Sequence, residues 1–189
     1  MAYAFDIDAS EIFGGPKWMD SDGFDINAKI PEEFAHGGAQ DKTAQMIQNL
    51  LARRFQMAIH REQRQISGYL LVVAKKGPKI ALAKADEKDT GMHTKNWHLV
   101  ATNVTMEALA KYLTHYADKP VVDKSELSGG FNFELVWMPE KLDTKPEASA
   151  DPRPSIFTAV QEQLGLRLES AQVPIQAIVI DRAEKPDPN

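Results

Sequence analysis

The chain has 189 residues, 43% hydrophobic and 26% charged, with a net charge of −5 and no cysteine. That is enough for one large domain or two small, intimately packed ones, stable without a metal or a disulfide. The missing cysteine excludes thiol catalysis, zinc–thiolate sites and disulfides. The acidic balance excludes nucleic acid as a partner, since the largest basic group is only Arg53, Arg54, Arg61 and Arg64.

No run of 18 apolar residues offers a membrane span. The start, Met1-Ala2-Tyr3-Ala4-Phe5-Asp6, has neither a basic nor an apolar stretch, so no signal peptide is read within this numbering. Turn chemistry follows in Gly14-Gly15-Pro16 and Asp20-Ser21-Asp22-Gly23, then alternation from Phe24 to Lys29 predicts a strand. Pro31 and His36-Gly37-Gly38 mark a loop. A helix is predicted from Asp41 to Arg54, with Met46, Ile47, Leu50, Leu51 and Phe55 on one buried face. Asp41 suits its N-terminus, and Arg53 and Arg54 suit its negative end.

Gln56 to Glu62 alternates as a strand, with Met57 and Ile59 inward and His60 outward. Tyr69 to Ala74 is a more continuously apolar strand. Lys75 to Lys95 reads as an exposed excursion with a short apolar piece at Ile80 to Ala83. A strand is predicted over Trp97 to Val100, and Thr105 caps a helix to Ala117. Val121-Val122 is extended, Gly129-Gly130 a turn, and Phe131 to Trp137 an alternating strand. Residues 139–154 carry four prolines and read as a surface loop. Ser155 caps a third helix to Leu164, with Gly165 at its left-handed end. Leu166 to Leu168 and Ile175 to Ile180 are the closing strands, before a frayed tail at 185–189.

The chain also repeats itself. Ile47…Leu50-Leu51…Phe55 to Ile59 aligns with Ile156…Ala159-Val160…Leu164 to Leu168 at an offset of 109. Leu71-Val72-Val73 aligns with Ile178-Val179-Ile180, and Phe24-Asp25-Ile26 with Phe131-Asn132-Phe133, both at 107. The two-residue difference is assigned to a hairpin turn. The expected fold is α+β with two pseudo-repeated lobes, each a small mixed or antiparallel sheet with helices on one face. The lobes are expected at 1–78 and 97–184, with 79–96 connecting them. Met1-Ala2-Tyr3 would correspond to the final turn of the Thr105 helix, so the first lobe lacks that helix. Truncation of a longer protein is the favoured account.

Several of these stretches are familiar. Gly14 to Lys29, Leu50 to Gln56, His60-Arg61-Glu62, Pro120 to Lys124, Pro154 to Phe157, Glu162 to Leu166 and Ile180 to Pro186 resemble the soil-associated family of uncharacterised acidobacterial proteins. The resemblance covers nearly the whole chain. It implies export behind a signal peptide and a further amino-terminal strand and helix, in some members behind a membrane-bound BlaR-like metallopeptidase. The repeating unit also resembles the short amino-terminal domain of secretins and TonB-dependent receptors, which implies protein contacts in the periplasm. The resemblance assigns no activity to any residue.

Candidate chemistry is sparse. Asp20 and Asp22 resemble the start of a calcium loop, but the glycine comes too early and no glutamate closes it. His93, His98 and His115 lack the spacing of a zinc set. His60 beside Glu62 is the candidate general base, with Asp123 a further carboxylate, yet no Gly-x-Ser-x-Gly elbow supplies a nucleophile. Ser125 and Ser128 read as turn residues. Gly14-Gly15 and Gly129-Gly130 read as matching turns before strands, without the Lys-Thr of a phosphate loop. Trp18, Trp97 and Trp137 either plug the core or anchor a partner, and Trp18, Trp137 and Arg61 are the partner-binding candidates.

No cofactor is expected. The function these features imply is a non-catalytic, extracytoplasmic binding or sensing module for a protein or cell-envelope component. The alternatives are an esterase- or phosphoesterase-type hydrolase using His60, Glu62 or Asp123, and a protein that assembles with itself.

Overall fold

The computed structural model describes residues 1–26, 39–84, 89–138 and 153–186, with backbone alone at 39–41. The chain is α+β and forms two compact units, residues 1–64 with 174–189, and residues 65–173. These are not the two lobes expected from the sequence, and the reason lies in two strands. What read as pairs of strands joined by turns are the single strands β2 (Ala58–Val73) and β8 (Leu166–Arg182). The chain stays extended through the whole of β2, although its burial changes phase at His60-Arg61, where both residues are exposed. Glu62, Arg64 and Ile66 are half-buried, whereas Arg61, Gln63, Gln65 and Ser67 are exposed. The polar residues that suggested a turn are one solvent-facing row.

In the first unit, helix α1 (Ala2–Phe5) and strand β1 (Ile12–Gly14) precede helix α2 (Ala39–Arg54). The strand order here is β1-β8-β2. β1 runs parallel to β8, with Ile12 opposite Ile178 and Gly14 opposite Ile180. Leu51 and Phe55 from α2 and its end bury against Ala4, with Ile47, Leu50, Met57 and Trp18 around them. The cap expected at Asp41 falls on an undescribed side chain. Residues 24–26, expected to open a strand, are unpaired backbone, because Phe24 turns its ring onto Phe55 and Trp18. The rest of that stretch and the loop to Gly38 lie outside the described residues.

The second unit has the order β8-β2-β6, where β6 (Val121–Asp123) runs parallel to β2 with Tyr69 opposite Val121. Helix α3 (Met106–Thr114) begins as expected, with Thr105 Oγ1 accepting the Ala108 N–H, and buries Met106, Leu109, Ala110 and Leu113. Helix α4 (Ile156–Leu164) has its Ser155 cap and a left-handed Gly165.

A second, antiparallel sheet lies in this unit. It has the order β3-β7-β5-β4, from β3 (Ala81–Leu82), β4 (Gly91–Lys95), β5 (His98–Val104) and β7 (Phe131–Val136). The excursion expected at 79–96 therefore supplies both edge strands. Asn96 and Trp97, with φ of 51° and 61°, form the two-residue turn between β4 and β5. Trp97 is a turn residue rather than the first of a strand, held there by ring contacts to Tyr116 and Trp137.

One numerical relation links the two parallel ladders. A step of 109 takes Ile12 to Val121 and Tyr69 to Ile178, and so converts one register into the other. The same step relates the bond from Gly15 N–H to Ile180 with that from Lys124 N–H to Leu71, and places α1 on the last turn of α3. No hairpin insertion is needed, because neither β2 nor β8 is broken by a turn. By that step Gly14-Gly15 would fall on Asp123-Lys124, after a strand, rather than on Gly129-Gly130. The units are unequal all the same, since the antiparallel sheet has no counterpart among the described residues of the first unit.

Candidate functional site

In the first unit, β2 and β8 bring together charges that lie far apart in sequence. His60 Nδ1 lies 2.9 Å and 3.0 Å from the two carboxylate oxygens of Asp181, and its Nε2 lies 3.7 Å from Glu62. Arg64 Nε donates to Glu62, and the Arg64 guanidinium rests 4.4 Å from the centre of the Phe13 ring. Strand alternation puts His60, Glu62 and Arg64 on one face, and Arg61 on the other, exposed.

The Asp181 carboxylate, helped by the charge of Glu62, raises the His60 pKa above the ordinary imidazole value. Arg64 lowers that of Glu62. An imidazole oriented by a carboxylate at Nδ1 has the geometry of a general base. Its other nitrogen, however, faces Glu62 rather than a hydroxyl.

The shift sets a pH dependence. A raised pKa in the folded chain gives stability that is fully present below the ordinary imidazole pKa and lost as pH rises through the raised value. The advantage of wild type over His60→Gln in urea midpoint is therefore expected to shrink as pH rises from the ordinary imidazole value, about 6.5, into the mildly alkaline range. A difference that stays constant across that range would show that the Asp181 contact does not persist in solution.

A second constellation of the same unit surrounds Trp18, which lies in a short 3-10 helix over Lys17–Asp20. Its ring stacks on Phe55 at 6.3 Å and meets the edge of Phe24 at 5.8 Å, while Phe24 and Phe55 are 5.2 Å apart. Lys185 lies 5.9 Å from the Trp18 ring centre and binds Asp22 at 2.5 Å. Lys185 and the Ser21 hydroxyl hold the Asp22 carboxyl below its usual range. That carboxylate is thus engaged by an ammonium, which leaves the calcium-loop reading no support. Among the described residues, no three histidine, aspartate or glutamate side chains converge as a metal ion requires. Phe24 and Ile26 remain 42% and 51% exposed.

Other candidates serve the fold. Trp137 is 0% exposed, so its reading as a partner anchor is corrected: its ring lies inside the second unit's core, against Trp97, Tyr112 and Tyr116. Asp123 accepts the Ser125 N–H in the turn after β6, and Ser125 accepts from Leu127. His98 pairs with Glu134 at 2.9 Å, and Asp20 ends the Trp18 turn. Asp181 was missed, because only the pairing of two strands some 120 residues apart reveals it. Its place in the family-like stretch Ile180 to Pro186 was the one available signal.

Comparison with curated proteins and with solved structures finds no match. A family model described as "Protein of unknown function (DUF3738)" matches residues 1–183. On that match over nearly the full length, the chain belongs to the DUF3738 family.

Proposed function

We propose that this chain is a non-catalytic binding or sensing module of an extracytoplasmic compartment, contacting a protein or envelope component through an exposed strand edge or the Trp18 loop. The observation that carries the reading is the Trp18 cluster. A surface turn presents a half-buried indole against Phe24, which is itself part-exposed, and large aromatics at a rim are the usual anchors of recognition. Support for the compartment comes from the resemblance to the acidobacterial family and to the periplasmic module of secretins and TonB-dependent receptors. Cell fractionation tests it: a chain recovered with cytosolic markers would count against it. Trp18→Ala is expected to release at least one partner retained by wild type from envelope extract. Retention of every partner by that variant would discard the loop.

The His60–Asp181 pair favours one rival, a hydrolase with His60 as base. Turnover of a generic ester or phosphoester that disappears in His60→Ala, at unchanged melting temperature, would establish it and displace the binding reading.

A further inference from the structure

Between α4 and β8, within the second unit, lies a cleft of about 510 Å³ lined by Phe157, Thr158, Gln161, Glu162, Arg167, Leu168 and Glu169. The helical residues form one face of α4. The three strand residues are consecutive, and consecutive strand residues point to opposite faces. A cleft that touches all three therefore opens on the edge of the strand.

That edge is free among the described residues, because β1 pairs with β8 only at 178–180. The Ala74 N–H donates to the Gly165 carbonyl, on the β2 side. By alternation the N–H and C=O of Leu166 and Leu168 face the opposite way, into the cleft. Phe157, backed at 5.2 Å by Tyr69, and Leu168 give it an apolar floor.

Two further features select an occupant. Arg167 donates from Nη2 to Glu169, but its buried Nε has no hydrogen-bond partner. A buried donor left unpaired costs about 1–3 kcal/mol, and a peptide carbonyl would satisfy it. The lining carries two carboxylates, Glu162 and Glu169, against one guanidinium, so the cleft is acidic on balance. We propose that this cleft receives an extended peptide with a basic side chain, which adds as a strand to the free edge of β8. One of its carbonyls accepts from Arg167 Nε, and its cation approaches Glu162. The proposal rests on the reading of the chain as a binding module, and names the site and the partner's chemistry.

The test uses the whole chain, labelled with nitrogen-15, and blocked peptides of alternating valine and threonine with a central lysine, a central glutamate, or a central lysine flanked by proline. Up to about 1 mM lysine peptide is expected to shift the amides of Leu166 to Glu169 and the Arg167 Nε–H resonance. The proline peptide lacks the ladder donors and should move them little. Glu162→Lys, at an exposed helix position, should weaken the lysine peptide about ten-fold and strengthen the glutamate peptide.

Unmoved amides at Leu166 to Glu169, equal shifts with the lysine, glutamate and proline peptides, or shifts that arise on concentrating the protein alone would overturn the site. The two readings fail separately. Should Glu162→Lys and wild type retain the same envelope partner while the lysine peptide moves nothing, the cleft falls and the module stands. Should the cleft take the lysine peptide while no envelope partner is retained, the module reading is the one that falls.

Discussion

Trp137→Ala is expected to cost about 3–5 kcal/mol, the range for removing a fully buried large aromatic. The ring is 0% exposed and its centroid lies 5.0 Å from Tyr116 and 6.2 Å from both Trp97 and Tyr112. Its removal empties the middle of that group. It also unsupports Trp97, which holds its left-handed backbone only because its ring is packed. For a chain of this size the melt should fall by about 6–20 °C.

Trp137→Phe is the informative companion. The indole Nε1 is buried without a hydrogen-bond partner, so phenylalanine removes an unsatisfied donor along with some volume. It should cost less than about 1.5 kcal/mol. An alanine variant that melts within about 2 °C of wild type, or a phenylalanine variant as damaged as alanine, would refute this account of the core.

The second large effect concerns Gly165. Its φ of 66° is the left-handed conformation that ends α4, with its N–H bonded to the Val160 carbonyl. A Cβ there would stand 2.2 Å from the Gly77 carbonyl oxygen and 2.9 Å from the Lys79 nitrogen. Both are backbone, fixed by the Lys79 N–H to Leu164 and Ala74 N–H to Gly165 bonds, so neither can yield. The left-handed penalty of about 1 kcal/mol and the overpacking of about 1–3 kcal/mol together give about 2–4 kcal/mol for Gly165→Ala. Asparagine, which tolerates left-handed backbone, separates the causes. If space decides, Gly165→Asn is as harmful as alanine; if conformation alone decides, asparagine recovers most of the loss in a urea titration.

The helices were the legible part of the fold. The Thr105 and Ser155 caps, the apolar faces of α3 and α4 and the terminal Gly165 are local signals, and the structure uses each of them. The strands were less legible. In a 16-residue strand the polar row Gln63, Gln65 and Ser67 reads like a turn, and Ser67-Gly68 strengthens that impression. Pro174 reads as a break in β8, although the neighbour on its outer side begins only at Ile178, so its missing N–H forfeits no ladder bond. The small strands of 79–96 were hidden because two or five residues paired at a sheet edge carry little periodicity of their own.

The candidate site was half visible. His60 and Glu62 share a strand, but Asp181 comes from the far end of the chain, and no spacing rule joins them. Trp18 and Trp137 could not be told apart by type. Burial separates them: one closes a core, and the other sits in a loop between half-exposed neighbours.

The interleaved segments of the two units dictate an order of completion during synthesis. Residues 65–173 leave the ribosome as an uninterrupted stretch and hold every segment of the second unit. The first unit begins earlier but must wait for residues 174–182, which give β1 its ladder, and for Glu184, whose N–H closes onto Phe55. Until then α2 and the apolar face around Leu51 and Phe55 stand without that closing strand, while the later-made unit can already be finished. The half that starts first is thus the half that finishes last, and its nascent form is the one that most needs shelter from aggregation.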